Sequence, residues 1–303
     1  MKIAISGAGG FLGSALRQEL QERNMQIITL VRRRQLKDAG HIYWSPKNNI
    51  KPDLPPVDVL INLSGENLFG IWTRRKKEQI YSSRISSTRL LADTVSRMPV
   101  PPALFISASA IGYYGDQGDR IIDESCPRGN DFLARTCADW EKQATALKTI
   151  CQRVVFLRSG VVLSKKGGFL QKMLFPFTWG LGGKIGSGDQ YLSWIHLQDW
   201  IAAVIHIIKH HSLSGAVNLV APRAVTNAHL TRALAGAVHR PALFHIPGSV
   251  FGLLTGEMGK TMVLSGTRCV PEKLHVSGFE FQYKSIENAL ADCVRQDQAY
   301  HYL

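Results

Sequence analysis

Three glycines near the amino terminus have the spacing of a turn that binds a dinucleotide. Gly7, Gly10 and Gly13 follow the apolar run of residues 2–6 and precede a helical pattern over residues 11–22. In such a turn the first glycine permits the tight bend, and the second lets a pyrophosphate approach the backbone. The third lets the helix pack closely on the strand. The spacing therefore predicts a nucleotide site at the end of the first strand.

The first helical residues complete this predicted phosphate site. Phe11 and Leu12 begin the helix, where backbone N–H groups have no acceptor within the helix. These donors and the positive end of the helix dipole favour a bound pyrophosphate. The glycine spacing alone is a weak signal. Its place between a strand and a helix favours dinucleotide binding over a merely structural turn.

The end of the second predicted strand, residues 25–31, indicates which dinucleotide is bound. Proteins that bind NAD usually carry an acidic residue there, which holds the ribose 2′-hydroxyl group. Here the strand is followed by Arg32, Arg33 and Arg34, with no acidic residue. A guanidinium group suits a 2′-phosphate, which it binds through paired hydrogen bonds. The sequence thus predicts NADP(H), contacted by Arg32. The alternative is that the arginines are only solvated, and this interpretation suits Arg34 better than Arg32.

A third apolar run, residues 57–63, ends in a small polar turn. Leu63, Ser64 and Gly65 would lie at the carboxyl end of a buried strand, where such sheets bind their ligands. We expect them to pass beside the cofactor. Arg84, on the following helical pattern, is a candidate contact to the cofactor phosphates. A surface arginine is an equally good interpretation of its spacing.

The order of apolar and amphipathic segments predicts the fold class. Strand patterns over 2–6, 25–31, 57–63, 103–107, 151–157 and 216–220 alternate with helical patterns over 11–22, 74–97 and 131–147. Continuous apolar strands that alternate with helices indicate an α/β protein, a Rossmann doubly wound parallel sheet. We expect a nucleotide-binding core over 1–160 with a further strand near 216–220. A smaller, interleaved carboxyl-terminal substrate lobe would occupy most of 161–303.

Composition limits the functional classes. The 303-residue chain is 45% hydrophobic and 19% charged, as is usual for a globular protein. No apolar run reaches the about 18 residues of a membrane span, and no signal peptide is expected, so we predict no membrane partner. The net charge of +13 favours an anionic small-molecule substrate, whereas no nucleic-acid-binding motif is present. Five cysteines without a CxxC pair predict no metal site and a cytoplasmic protein.

Several segments together resemble one protein family. They are residues 62–67, 107–115, 131–133, 158–163, 182–188 and 193–196. The chain resembles the extended short-chain dehydrogenase/reductase superfamily, in its nucleotide-sugar epimerase branch, and within it the "epimerase family protein" subgroup. The resemblance covers nearly the whole chain. It implies a Rossmann sheet, a substrate lobe interleaved with it, and NADP(H).

The resemblance also implies a catalytic set, and this chain lacks part of it. The superfamily uses a serine or threonine and a Tyr-x-x-x-Lys pair, in which the tyrosine exchanges a proton with the substrate oxygen. Ser109 matches the serine. Leu133 stands at the tyrosine position and Cys137 at the lysine position, so the usual mechanism cannot operate. Cys137 is retained as a candidate cofactor contact, although an apolar core stripe explains both residues equally well.

Other residues are candidates to replace the missing pair. Tyr113 and Tyr114 follow Ser109 closely, and each would need a nearby cation to act near neutral pH. Cys137 as a nucleophile and His196 at the edge of the cleft are weaker candidates. The glycine-rich segment 182–188, with Lys184 and Arg223, would contact an anionic substrate. A structural glycine hairpin is equally consistent with that segment.

Two functions of different classes are consistent with the sequence. The first is an NADP(H)-dependent oxidoreductase or epimerase that acts on a carbonyl or hydroxyl compound, which a nucleotide would carry. The second is a non-catalytic NADP(H)-binding sensor or assembly factor, suggested by the missing tyrosine and lysine. Nucleic-acid binding ranks last, and homo-oligomer formation is left open.

Overall fold

A computed structural model describes residues 1–32 and 40–295. Its strands are β1 Lys2–Ser6, β2 Gln26–Val31, β3 His41–Tyr43, β4 Val59–Asn62, β5 Leu104–Ala110, β6 Ile121–Ile122, β7 Arg153–Ser159, β8 Val161–Leu163, β9 Gly183–Ile185, β10 Tyr191–Leu192, β11 Trp194–His196, β12 Gly215–Leu219, β13 Val225–Thr226, β14 Phe244–Ile246 and β15 Arg268–Cys269. Its α-helices are α1 Phe11–Glu22, α2 Arg74–Val95, α3 Phe132–Gln143, α4 Gly168–Thr178, α5 Leu197–Lys209, α6 Asn227–Ala237, α7 Gly248–Gly259, α8 Glu272–Val276 and α9 Ile286–Arg295. Short 3₁₀ turns cover Pro46–Asn48, Ile111–Tyr114 and Thr145–Thr149, and a π-helical turn covers Lys260–Leu264.

The central sheet has the order β12-β7-β5-β4-β1-β2-β3, and all of its neighbouring strands are parallel. The chain runs outward from β1 through β2 to β3, then returns to the other side of β1 at β4. The strand order therefore reverses between β1 and β4. In open parallel sheets a ligand crevice forms at the carboxyl ends of the strands at this reversal. The doubly wound α/β fold predicted from the sequence is confirmed.

Each face of the sheet has its own core, because successive side chains on a strand point to opposite faces. Ile3 and Ile5 pack in a cluster with Leu16 of α1 and Trp200 of α5. Ala4, between them, packs on the other face, in a cluster with residues of α2 that include Leu91. Helices on both faces exclude water from the strands, which explains why these strands read as continuous apolar runs.

The predicted elements agree closely with the structure, with two informative differences. β5 extends to Ala110, beyond the predicted end at residue 107, so Ser109 lies on the strand itself. β3 was not predicted, because three residues carry too little pattern. β12 pairs with β7 across an interval of more than fifty residues, which joins the later chain to the core sheet. The proposed boundary at residue 160 stays a prediction.

The later part of the chain packs as a lobe around its own apolar cluster. Leu170 and Phe177 of α4 pack there with Leu234 of α6 and Leu290 of α9. Short strand pairs tie the segments together: β8 with β11, β9 with β14, β10 with β13, and β15 with β6. None of the helices in the described part of the chain combines the length and apolar character that crossing a bilayer requires.

A buried polar junction fixes the strands at the point where their order reverses. The Ser6 hydroxyl donates to Asn62 Oδ1 at 2.6 Å, and the Asn62 amide donates to Thr88 Oγ1 at 2.7 Å. Trp140 Nε1 donates to the same Thr88 oxygen at 2.7 Å. β1, β4, α2 and α3 are thus joined by side-chain hydrogen bonds in an interior where unpaired polar groups are costly.

Replacing Asn62 by leucine should destabilise the protein by about 3 kcal/mol. The change removes the acceptor of the buried Ser6 hydroxyl and one of the two donors to Thr88 Oγ1, and it forces a branched side chain into a close-packed site. Urea unfolding followed by circular dichroism measures the effect. Asn48→Leu, at an exposed position, is the matched control. Equal stability of the two variants would contradict the structural role given to this junction.

Candidate functional site

The glycine turn requires residues without side chains, as predicted. Gly7 has φ +77°, and a Cβ placed on it would lie 2.7 Å from the carbonyl carbon of Leu63. A Cβ on Gly13 would collide with the carbonyl oxygen of Gly7. These contacts bring the start of α1 against the ends of β1 and β4, at the reversal of strand order. A larger residue at either position would separate the three elements.

The amino terminus of α1 is an open cradle of backbone donors. Its N-cap residue is Gly10, which has no side chain to bond the first N–H groups. The N–H groups of Phe11 and Leu12 have no hydrogen-bond acceptor among the described residues. Gly9 is exposed, and a Cβ placed on it would meet nothing within 4 Å. This donor set, open on one side, fits the pyrophosphate of a dinucleotide.

Phe11 connects the cradle to the carboxyl-terminal lobe. A Cβ on Gly167 would lie 2.7 Å from its ring, and a Cβ on Gly168 would lie 3.3 Å from it. The loop before α4 therefore crosses close over the start of α1. Phe11 is a structural contact between the two parts of the chain as well as a cradle residue.

Arg32 is placed where a 2′-phosphate contact was predicted. It follows β2 directly and is exposed, and it makes no hydrogen bond or ion pair with the other described residues. Arg33 and Arg34, the other two arginines of the prediction, lie outside the described residues. A contact between Arg32 and a 2′-phosphate stays a prediction.

The turn after β4 forms the wall opposite the cradle. The N–H of Leu63 donates to the carbonyl oxygen of Ser6 at 3.0 Å, and the N–H of Ser64 donates to Asn62 Oδ1 at 3.2 Å. A Cβ on Gly65 would lie 3.3 Å from Cζ of Arg84. The backbone of this turn is therefore pinned to β1, while its far end lies against a guanidinium.

The Arg84 side chain packs against its own helix, α2, and against Trp140 of α3. Its Nη1 donates to the carbonyl oxygen of Ile80 at 3.0 Å, and its Cζ is 5.1 Å from the centre of the Trp140 ring. Burial lowers the pKa of this guanidinium, which nevertheless stays charged at any physiological pH. These contacts fit a partly buried arginine better than the surface arginine that the spacing also allowed. A contact with the cofactor phosphates stays a prediction.

Ser109 belongs to a buried ionic cluster that the sequence did not reveal. Ser109 Oγ donates to Glu141 Oε1 at 2.7 Å, and Arg158 forms a two-point ion pair with Glu141 at 2.9 Å through both Nε and Nη2. The side chains of Arg158 and Glu141 are only 6% and 12% exposed. Because its proton is committed to Glu141, the Ser109 oxygen is left to accept a hydrogen bond.

Tyr113 and Tyr114, treated alike on sequence, have different environments. Tyr114 is fully buried; its hydroxyl donates to Asn218 Oδ1 at 2.8 Å and accepts from Arg158 Nη1 at 2.9 Å. Burial raises the pKa of Tyr114 well above its usual range. Tyr113 is half-buried, and its hydroxyl has no hydrogen-bond partner among the described residues. The Arg158 guanidinium lies 3.5 Å from the centre of the Tyr113 ring.

Leu133 and Cys137, which the resemblance assigns to the positions of the missing pair, lie beside these residues. A Cβ on Gly112 would lie 3.3 Å from Cβ of Leu133, so the turn that carries Tyr113 packs on the residue at the family's tyrosine position. Cys137 is buried, and burial raises the pKa of its thiol to about 12. A neutral thiol of this kind is inert. The site around Cys137 therefore offers no nucleophile, and its cofactor contact stays a prediction.

The remaining candidates have structural partners. His196 caps α5 by accepting from the N–H of Gln198 at 3.2 Å, its Nε2 lies 3.4 Å from Asp292, and its ring packs 3.9 Å from that of Tyr283. Burial lowers its pKa. In the segment 182–188, β9 pairs with β14, and a Cβ on Gly188 would collide with the side chain of Lys184. Arg223 is exposed, and its carbonyl oxygen accepts from Trp194 Nε1.

Glu141 and Arg158 are the site residues that sequence reasoning missed. One signal was available: Arg158 is a charged residue that directly follows the apolar run of residues 154–157. A charge in a buried strand requires a partner. The identity of that partner depends on the packing of α3 against the sheet. Elsewhere, no cluster of three or more His, Cys, Asp or Glu side chains within the described ranges is arranged to hold a metal ion.

Fold and site together define a dinucleotide-binding protein with the architecture of the extended short-chain dehydrogenases. Residues 3–220 match the model of the NAD dependent epimerase/dehydratase family, and residues 246–293 match a domain of unknown function, DUF1731. The chain belongs to the NAD dependent epimerase/dehydratase family. The family resemblance identified from sequence motifs is therefore confirmed.

Two relatives match this chain over nearly their whole length. The chain is 37% identical to an epimerase family protein of Mycobacterium leprae over 292 residues, covering 95% of this chain and 94% of that protein. It is 33% identical to the human epimerase family protein SDR39U1, covering 97% of this chain and 100% of the human one.

Solved structures agree with these sequence matches. A crystal structure of human SDR39U1 (isoform 2) with NADPH superposes with a TM-score of 0.89 at 30% identity, covering 97% of this chain and 99% of the human one. A nucleoside-diphosphate sugar epimerase of Corynebacterium glutamicum gives a TM-score of 0.78 at 32% identity. It covers all of this chain, which spans 62% of that protein.

The cysteines provide a test of the packing around the site. Burial raises the thiol pKa of Cys137, Cys269 and Cys293 to about 12, and that of Cys151 to about 11, whereas Cys126 is half-buried. Because only the thiolate reacts, Ellman's reagent at pH 8 should titrate one thiol rapidly in the folded protein and five in denaturant. Cys126→Ser should abolish the rapid phase. A rapid phase that survives this substitution would contradict the burial of at least one of the other four cysteines.

Proposed function

We propose that this chain is an NADP(H)-dependent oxidoreductase or epimerase that uses Tyr113, in place of the missing tyrosine, to exchange a proton with the substrate oxygen. The observation that carries the proposal is the position of Tyr113. Its hydroxyl has no partner among the described residues, and a guanidinium lies 3.5 Å from the centre of its ring. Its neighbour Gly112 packs on the residue at the family's tyrosine position.

Residues of this chain fit the proposed cofactor. The open α1 amino terminus would hold the pyrophosphate, and the turn at Leu63, Ser64 and Gly65 would border it. Arg32 would hold the 2′-phosphate. The NADPH present in the structure of the human relative supports this assignment, as does the lack of an acidic residue at the end of β2. When bound, nicotinamide supplies or accepts a hydride.

Tyr113 and Arg158 would together perform the role of the family's tyrosine and lysine. In the direction of reduction, Tyr113 gives its phenolic proton to the substrate oxygen, which gains a negative charge as a hydride reaches the adjoining carbon. The fixed charge of Arg158 stabilises the phenolate that remains. Glu141 holds Arg158 in position through two hydrogen bonds and so keeps the charge against the ring.

Ser109 would bind a hydroxyl group of the substrate. Its proton is held by Glu141, so its oxygen accepts a hydrogen bond from a substrate hydroxyl. The name of the Corynebacterium protein supports a nucleotide-linked compound, and the net charge of +13 favours an anionic one. A cytoplasmic location is part of this proposal.

A second candidate is a non-catalytic NADP(H)-binding sensor or assembly factor. Leu133 and Cys137 favour it, because neither residue exchanges a proton near neutral pH. The sensor would bind NADPH and be stabilised by it without any turnover. Its affinity for a partner would differ between NADPH and NADP⁺. Turnover measured alongside cofactor affinity separates this candidate from the enzyme.

Arg32→Ala should weaken NADPH binding about thirtyfold, or ~2 kcal/mol, and leave NADH binding unchanged. The reason is the loss of a charge-assisted hydrogen bond that only the 2′-phosphate makes. Titration calorimetry measures both affinities, and Arg97→Ala, at an exposed arginine just beyond the end of α2, is the control. If the parent protein binds neither NADPH nor NADH, the proposed function is wrong. Tight NADH binding would overturn only the role of Arg32.

Tyr113→Phe should lower turnover at least about a hundredfold while NADPH affinity and stability stay close to those of the parent protein. Tyr114→Phe should instead lower stability by about 1–3 kcal/mol, because Arg158 and Asn218 lose a buried partner. NADPH oxidation, followed by the loss of its absorbance against a panel of nucleotide-linked carbonyl compounds, gives the first readout, and urea unfolding the second. Equal turnover of Tyr113→Phe and parent would exclude Tyr113 as the proton donor.

A further inference from the structure

Helix α4 ends in an exposed aromatic pair. Phe175 and Trp179 are 69% and 72% exposed, and their ring centres are 6.2 Å apart. They lie four residues apart, which places them on one side of the helical turn. Leu181 follows them and is 57% exposed, with its backbone held by the carbonyl oxygen of Pro176. Large apolar groups this exposed and this close together mark an interaction surface.

Helix α7 carries a second exposed apolar stripe. Leu253 and Leu254 are 85% and 71% exposed, and Val250 is 46% exposed. The spacing of 250, 253 and 254 places all three on one helix face. Leu243, on the approach to this helix, is 85% exposed. This face has no apolar partner to cover it among the described residues.

The two stripes belong to one connected part of the lobe. Strand β9, two residues after Leu181, pairs with β14, so that Phe244 lies opposite Gly183. β14 begins directly after Leu243 and leads into α7 through Pro247. We call Phe175, Trp179, Leu181, Leu243, Leu253 and Leu254 the apolar rim.

Charge around the apolar rim is predominantly positive. The segments 165–188 and 239–264, which contain the rim, hold six lysines and arginines and a single acidic residue, Glu257. That carboxylate is paired with Lys77 of α2 at 2.9 Å. Lys172, Arg240 and Lys260 are exposed. The rim thus combines exposed aromatic and leucine side chains with a net positive charge.

We propose that the apolar rim docks on the surface of an anionic lipid bilayer. Aromatic and leucine side chains enter the boundary between headgroups and acyl chains, and nearby lysines and arginines attract acidic headgroups. Charge decides against a second copy of this chain, since two molecules of net charge +13 repel each other. This proposal departs from the sequence-based prediction of no membrane partner, which rested on the lack of an apolar run long enough to span a bilayer and of a signal peptide.

The docking surface shares helix α4 with the nucleotide site. α4 begins at the loop that crosses Phe11, and Lys172, on its exposed side, lies 5.0 Å from the ring of Phe69 in the segment after β4. A bilayer held at the rim would thus lie near the edge of the cleft. The proposal does not depend on oxidoreductase activity, and its test uses the protein without cofactor or substrate.

Trp179 makes the test direct. The other five tryptophans are at most 7% exposed, so Trp179 is the one exposed tryptophan of the chain. On addition of vesicles of phosphatidylcholine with about one third phosphatidylglycerol, we expect a blue shift of tryptophan emission and quenching by brominated lipid. Trp179→Phe should abolish the quenching while leaving flotation with the vesicles largely intact.

Paired variants identify the surface. Leu253→Ser with Leu254→Ser should lower vesicle partition at least about tenfold, because two apolar anchors are lost. Val276→Ser, on α8 at a side chain 79% exposed, is the matched control and should partition like the parent protein. High salt or pure phosphatidylcholine should weaken partition by a similar factor. Thermal unfolding of each variant checks that the lobe stays folded.

Three results would overturn the proposal. The first is no flotation with anionic vesicles. The second is partition that the double leucine variant leaves unchanged. The third is a concentration-dependent dimer, found by sedimentation, in which Trp179 is shielded from iodide; that outcome assigns the rim to a second copy of this chain.

Discussion

The structure depends on close backbone contacts of Gly7 with Leu63 and of Gly13 with Gly7, at the point where the strand order reverses. Gly7, with its positive φ, lies so close to the carbonyl group of Leu63 that no Cβ fits between them, and Gly13 is as close to Gly7. This contact aims the amino terminus of α1 across the carboxyl ends of β1 and β4. The positions of the phosphate cradle and of the turn after β4 relative to each other follow from it.

A second constraint is the cost of placing charges inside the sheet. Ser109, Arg158 and Asn218 occupy matched register positions on the neighbouring strands β5, β7 and β12. Arg158 can be buried there because each of its three nitrogens donates to Glu141 or Tyr114 and the Glu141 carboxylate balances its charge. The same cation lies against the ring of Tyr113. In this ion pair Glu141 holds Ser109 and Arg158 holds Tyr114, whereas the Tyr113 hydroxyl has no partner among the described residues.

This arrangement explains how a family member can lack the usual catalytic pair and still retain a polar site. Leu133 and Cys137 on α3 carry no charged side chain at the two positions of the pair. The polar groups are Glu141, one turn further along α3, and residues of β5, the turn after it and β7. Membership of the epimerase family therefore accounts for the sheet and the cradle, whereas the chemistry must be judged from Ser109, Tyr113 and Arg158.

Local pattern determined much of this protein. The glycine spacing, the apolar strands and the helical periodicities report on neighbours along the chain, so the sequence alone predicted the doubly wound sheet, the cradle at Gly7, Gly10 and Gly13, and the family. Only the tertiary structure distinguished Tyr113 from Tyr114 and paired Ser109 with Glu141. Those facts depend on contacts between residues 32 to 104 positions apart, which no local periodicity encodes. Burial decides whether a hydroxyl is available or committed, and burial is a property of the packed chain.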